Sequence, residues 1–94
     1  MLTPRQQILE RLEKGRQTVR TLSRELRLPE KDIVRHLEHL ARSLVSSRRR
    51  LAMEPPVCMS CGFSFRKRER MSAPSRCPLC KSEHISDPVF FIED

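Results

Sequence analysis

The sequence predicts an α+β fold in which three helices precede a β-prone half that carries a metal site. Three observations carry this. Apolar residues recur at helical spacing through the first half. β-prone runs near residues 51–57 and 89–92 flank the second half. Between them lie two C-x2-C pairs, Cys58/Cys61 and Cys77/Cys80, separated by fifteen residues.

The first helix starts at Thr3, a good N-cap, followed by Pro4 at the first helical position. Ile8, Leu9 and Leu12 form its stripe, and Gly15 closes it near residue 14. Thr18 caps a short second helix with Val19, Leu22 and Leu26 on its inner face. Arg27-Leu28 makes a tight connection. Pro29 opens a third helix, where Glu30 and Asp32 suit the positive end of the helix dipole. Ile33, Leu37, Leu40 and Leu44 then repeat at intervals of 4, 3 and 4, a strong core stripe. Beyond Val45 the helical period is lost. Leu51–Val57 reads as extended, with Pro55-Pro56 marking an edge, and Val89–Ile92 reads as a strand.

Composition sets limits on what such a chain does. It has 94 residues, 37% of them hydrophobic, with four Phe and no Trp or Tyr. That is a small aliphatic core, and bound metal is the expected supplement to it. The net charge is +7. Residues 1–54 hold 13 of the basic and 7 of the acidic side chains, so the positive excess belongs to the first half. A basic half of this kind points to a polyanionic partner such as nucleic acid. No signal peptide or membrane span is read, so the expected location is cytoplasmic, where thiols stay reduced and favour metal over disulfides. No paired carboxylates, Ser/His/Asp arrangement or glycine-rich loop suggests an enzyme.

The cysteine spacing predicts one four-thiolate site made by Cys58, Cys61, Cys77 and Cys80. Each C-x2-C turn presents two sulfurs on one side, and two turns facing each other complete a tetrahedron. Gly62 supplies the backbone freedom that the first turn needs, and Pro78 stiffens the second. With every coordination position filled by protein, the site is structural. Zinc is the default metal, and iron in a rubredoxin-type site uses the same ligand geometry. His84 is read as a surface histidine. Phe63-Ser-Phe65 alternates like a strand with one covered face, and Arg66, Lys67, Arg68 and Arg70 read as its solvated tip.

The string TVRTLSRELRLPEKDIVRHLEHL resembles the winged helix-turn-helix of prokaryotic transcriptional regulators. Leu22-Ser-Arg-Glu-Leu26 matches the first motif helix, and Leu28 to Leu40 the recognition helix. Arg27 departs from the Gly or Asn common in that turn. The whole chain resembles a narrower group, predicted archaeal and bacterial regulators that join a winged helix to a rubredoxin-like zinc ribbon. The residues that carry this are Cys58-Met-Ser-Cys61-Gly62-Phe63, Pro74 to Glu83, and Pro88-Val-Phe-Phe-Ile92.

That resemblance implies a winged helix over residues 1–57, with a returning wing strand at 88–94 and the ribbon at 58–87 inserted between the wing strands. It also implies transcription regulation through double-stranded DNA. Facing away from the core stripe, Lys31, Arg35 and Arg42 are the candidate DNA contacts, with His36 and His39 on the flank. Arg48, Arg49 and Arg50 are candidate phosphate contacts beside the wing. The alternative is an adaptor that touches a transcription-machinery protein, favoured by Glu30, Asp32 and Glu38 on the same helix. A homodimer is compatible with either.

Overall fold

The structure, a computed structural model, describes residues 1–67 and 70–94. Arg68 of the expected hairpin tip therefore lies outside the described residues. Among the described residues three α-helices are followed by two antiparallel strands, and both cysteine pairs lie in the chain between those strands.

Helix α1 spans Pro4–Lys14. The Thr3 hydroxyl accepts from the Gln6 amide at 3.2 Å, and the Thr3 amide donates back to the Gln6 side chain at 2.9 Å. This reciprocal capping box satisfies two otherwise orphaned donors. Gly15 closes the helix after Lys14 as expected, in a fully extended conformation (φ 170°). The chain must run straight on here, because Gln17 exchanges two backbone hydrogen bonds with Phe90, at 2.9 and 2.7 Å.

Helix α2 spans Val19–Leu26 and is capped by Thr18, whose hydroxyl accepts from the Thr21 amide at 3.1 Å. Arg27 follows with φ 58°, and its amide bonds back to the Ser23 carbonyl. The left-handed turn that usually favours Gly or Asn is thus made by an arginine. Helix α3 spans Glu30–Ser43 and tightens into a 3-10 turn at Leu44–Ser47.

Strand β1, Arg50–Glu54, pairs with β2, Val89–Glu93, in the register Met53 to Phe90 and Ala52 to Phe91. The inner face of the pair, Leu51, Met53, Phe90 and Ile92, packs on the helices. Its outer face is stitched by charge: Arg50 pairs with Glu93, and Arg16 pairs with Glu54 while lying 4.4 Å over the Phe91 ring. This face covers Ala52, which is buried.

The core gathers Ile8 and Leu12 from α1, Leu22 from α2, and Ile33, Leu37 and Leu40 from α3 around Phe90. Ile8, Leu22, Ile33, Leu37 and Phe90 are fully buried. Phe90 lies in β2, so a residue beyond the cysteine segment completes the helical core. The expected strand at Phe63–Phe65 does not form. One isolated bridge, Val57 to Ser64, is made there, and the two rings pack edge to face at 4.9 Å. The neighbouring backbone is committed to the cysteine turns, which leaves no run long enough for a ladder. No helix among the described residues is long and apolar enough to cross a membrane.

Candidate functional site

The cysteine segment consists of two turns with matching hydrogen bonds. In the first, the Cys58 amide donates to the Phe63 carbonyl and the Gly62 amide to the Cys58 carbonyl, both at 2.8 Å. In the second, the Cys77 amide donates to Ser82 at 2.8 Å and the Lys81 amide to Cys77 at 3.0 Å. Gly62 has φ 84° and Lys81, at the equivalent place, φ 65°. Both turns need a left-handed residue after the second cysteine, and only one has a glycine there. The turns are tied together by the Met59 amide on the His84 carbonyl (2.8 Å) and by Ser60 and Ser82, whose hydroxyls are 2.9 Å apart.

The result brings all four sulfurs within 4.8 Å of one another. Cys58 and Cys80 are separated by 3.5 Å, and Cys61 and Cys77 by 3.7 Å. A tetrahedron of thiolates at about 2.3 Å from one ion has edges of about 3.8 Å, so the donor set fits a four-coordinate divalent metal. Cys58 and Cys77 are buried, whereas Cys61 and Cys80 reach solvent. His84 is exposed and outside the donor set.

The sulfurs have unequal appetites for charge. The Cys61 amide, assisted by that of Ser60, stabilises the Cys58 thiolate against its burial and lowers its pKa to about 6. The Phe63 amide favours the Cys61 thiolate, but burial and the neighbouring sulfurs outweigh it and push the pKa up to about 12. Four thiolates this close cannot all ionise unaided, and a dication removes the conflict.

The second surface is the outer side of α3. Lys31, Arg35, Glu38, His39 and Arg42 are exposed, opposite the buried stripe. Arg35 makes an exposed i,i+3 pair with Asp32 at 3.4 Å. Such a pair holds the side chain weakly. His36 is turned elsewhere: its Nδ1 accepts from Arg5 of α1 at 3.4 Å, and it lines a groove with Leu9 and Leu40. Burial first, then the Arg5 charge, keep it below its usual pKa.

The arginine run is divided. Arg49 is drawn back to Glu13 of α1 at 2.7 Å and Arg50 to Glu93, while Arg48 stands exposed at φ 59°. Two basic residues that sequence reasoning did not select, Arg24 and Arg27, are exposed at the end of α2 and in the turn before α3. Their signal was the turn itself, since a side chain displayed there precedes the third helix. Neither makes an ion pair among the described residues.

The fold and the four-sulfur cluster together define a small helical domain joined to a cysteine ribbon. A family model described as PF0610-like, N-terminal, matches residues 3–52, and one described as the PF0610 rubredoxin-like zinc beta-ribbon domain matches residues 55–94. The chain belongs to the PF0610-like family. It is similar to protein PF0610 from Pyrococcus furiosus, solved by NMR in solution. The two are 33% identical over 97% of this chain and 89% of that one, with a TM-score of 0.81. No curated protein matches.

Proposed function

We propose that the chain is a DNA-binding transcriptional regulator of winged helix-turn-helix build, with α3 as the recognition helix and zinc as the metal of its ribbon. The observation that carries this reading is the set of exposed basic side chains around the start of α3: Arg24, Arg27, Lys31 and Arg35. The N-terminal residues of a recognition helix are the ones that reach base edges. Arg35 has only a weak local partner to surrender, so a bidentate contact to guanine costs it little. Arg42, exposed on the same face, and Arg48, exposed before β1, take phosphate in this reading. Order and pairing support the build: helix, short helix, left-handed turn, longer helix, then an antiparallel pair to which Gln17 adds a third, single-residue bridge.

His36 and Arg49 take smaller parts in this reading because their intramolecular partners hold them half-buried, whereas Arg50, like Arg35, has only an exposed pair to surrender. With four thiolates on the metal, no coordination position is left for a substrate, which favours binding over catalysis.

The test is duplex binding by zinc-loaded protein across a salt series. The expected result is selective retention of a discrete fragment. Lys31→Glu and Arg35→Glu should abolish that retention, and Arg48→Ala should reduce the salt slope by about 1. Binding that is unselective and insensitive to Lys31→Glu would refute the reading.

A second reading, an adaptor docking on transcription machinery, is favoured by Met59 and Leu79. These exposed apolar side chains sit on the two cysteine turns, and exposed apolar groups of this kind are what a protein partner covers. Under that reading Met59→Ser and Leu79→Ser abolish partner capture while duplex binding is absent from the start.

A further inference from the structure

A cavity of about 260 Å³ opens where the beginnings of α2 and α3 meet the ribbon segment Met71–Ala73 and the chain just before β2. Its floor is apolar. Val19 and Pro88 are buried, and Met71 leaves the ribbon to pack against the helical core. Val34, a half-buried residue of α3 beside the core stripe, completes the floor, and the exposed Ala73 stands at its edge.

The rim is charged, with two groups of each sign. Arg20 and Asp87 hold each other through two contacts, Nε to Oδ2 at 3.2 Å and Nη2 to Oδ1 at 3.3 Å. Glu30 and Lys31 lie across from them on the first turn of α3, and neither makes an ion pair among the described residues. An apolar floor under an ammonium, a guanidinium and two carboxylates matches a molecule with both charges at one end and a hydrocarbon at the other. The volume lies at the small end for ligand pockets, which excludes nucleotides and other large cofactors.

We propose that this cavity binds a free α-amino acid with an aliphatic side chain. Lys31 and the outward N–H groups of Arg20 take the carboxylate, Glu30 and Asp87 take the ammonium, and the side chain lies against Val34 and Met71. Bound there, the ligand bridges the ribbon to the start of α3. The effect of that bridge on DNA rests on the regulator reading above; the binding itself does not.

The test is NMR titration of the zinc-loaded full chain with leucine, followed through the methyl signals of Val19, Val34, Met71 and Ala73. Two truncated analogues are run beside it, 4-methylpentanoate without the ammonium and 3-methylbutylamine without the carboxylate. Leucine should shift those methyls saturably, with a Kd on the order of 0.1–1 mM for so small a ligand. Each analogue should bind at least about tenfold more weakly. Ala73→Leu, whose larger side chain reaches over the floor from the exposed edge, should abolish the shifts with zinc content unchanged. Should that variant fold poorly, Lys31→Met at an exposed site should weaken leucine and leave 3-methylbutylamine unaffected. Absence of saturable shifts, or an analogue binding as well as leucine, overturns the proposal. These readouts use no DNA, so failure of the regulator reading leaves them intact.

Discussion

Exchanging the residues that follow the two cysteine pairs should move metal affinity in opposite directions. Gly62 and Lys81 occupy equivalent left-handed positions, at φ 84° and 65°. A side chain there costs about 1–2 kcal/mol. A Cβ added at Gly62 meets nothing within 4 Å, so Gly62→Ala carries only this conformational cost. Against it stands the reduced entropy of the unfolded chain, about 0.4–1 kcal/mol. The net loss is about 0.5–1 kcal/mol, and Lys81→Gly should gain about the same for the mirror-image reason. Metal binding and folding of such a ribbon are one equilibrium. The differences therefore read out as about two- to fivefold weaker zinc binding for Gly62→Ala and about two- to fivefold tighter for Lys81→Gly. Competition against a chromophoric chelator at fixed pH measures both. Lys81→Ala removes the charge but keeps the backbone strain, so it should behave like the parent chain. If Lys81→Ala tightens binding as much as Lys81→Gly, charge and not backbone is responsible and the reasoning fails.

Two further outcomes follow from the core and from α3. Phe90→Ala, at a fully buried side chain of β2 that shares one core cluster with residues of the three helices, should cost about 3–5 kcal/mol. That is a large share of a small domain's total stability, so denaturant melts followed by far-UV circular dichroism should lose helical signal at much lower midpoint. A midpoint unchanged from the parent would show that the helices pack without the returning strand. His36 is held below its usual pKa of 6.5, by burial first and by Arg5 next. The unfolded chain therefore takes up a proton on this histidine before the folded one does. Its contribution to stability is complete above pH 6.5 and is lost as the pH falls below that value. His36→Gln should flatten this part of the pH profile relative to the parent, and an identical acid-side slope in both would contradict it.

Local chemistry made much of this fold readable from sequence. Thr3 with Pro4, and Thr18, cap helices where expected because capping depends on residues three positions apart. The α3 stripe is core because its spacing is that of the helix. The cysteines converge because two short turns leave their sulfurs little choice. What was not readable depends on distant partners. His36 turns to Arg5, 31 residues away, and Arg49 to Glu13, 36 away. No periodicity reveals such pairs. Met71 stands in no helical or alternating pattern, and its packing against the helical core depends on the fold of the whole ribbon. The alternation at Phe63–Phe65 was real, but its covered face is the partner ring and not a sheet.

The return of the chain from Glu54 to Val89 has a thermodynamic consequence for residues far from the sulfurs. Viewed as a polymer, the segment between the strands is a long tether, and pairing its ends costs entropy that grows with its length. Clamping the tether at its four cysteines shortens the free path between the ends to residues 55–57 on one side and 81–88 on the other. The ion thus acts as a buckle on a strap, and drawing it tight raises the effective concentration of Phe90 over the open helical core. Chelation at neutral pH should therefore lower the melting temperature of helices that the metal never touches.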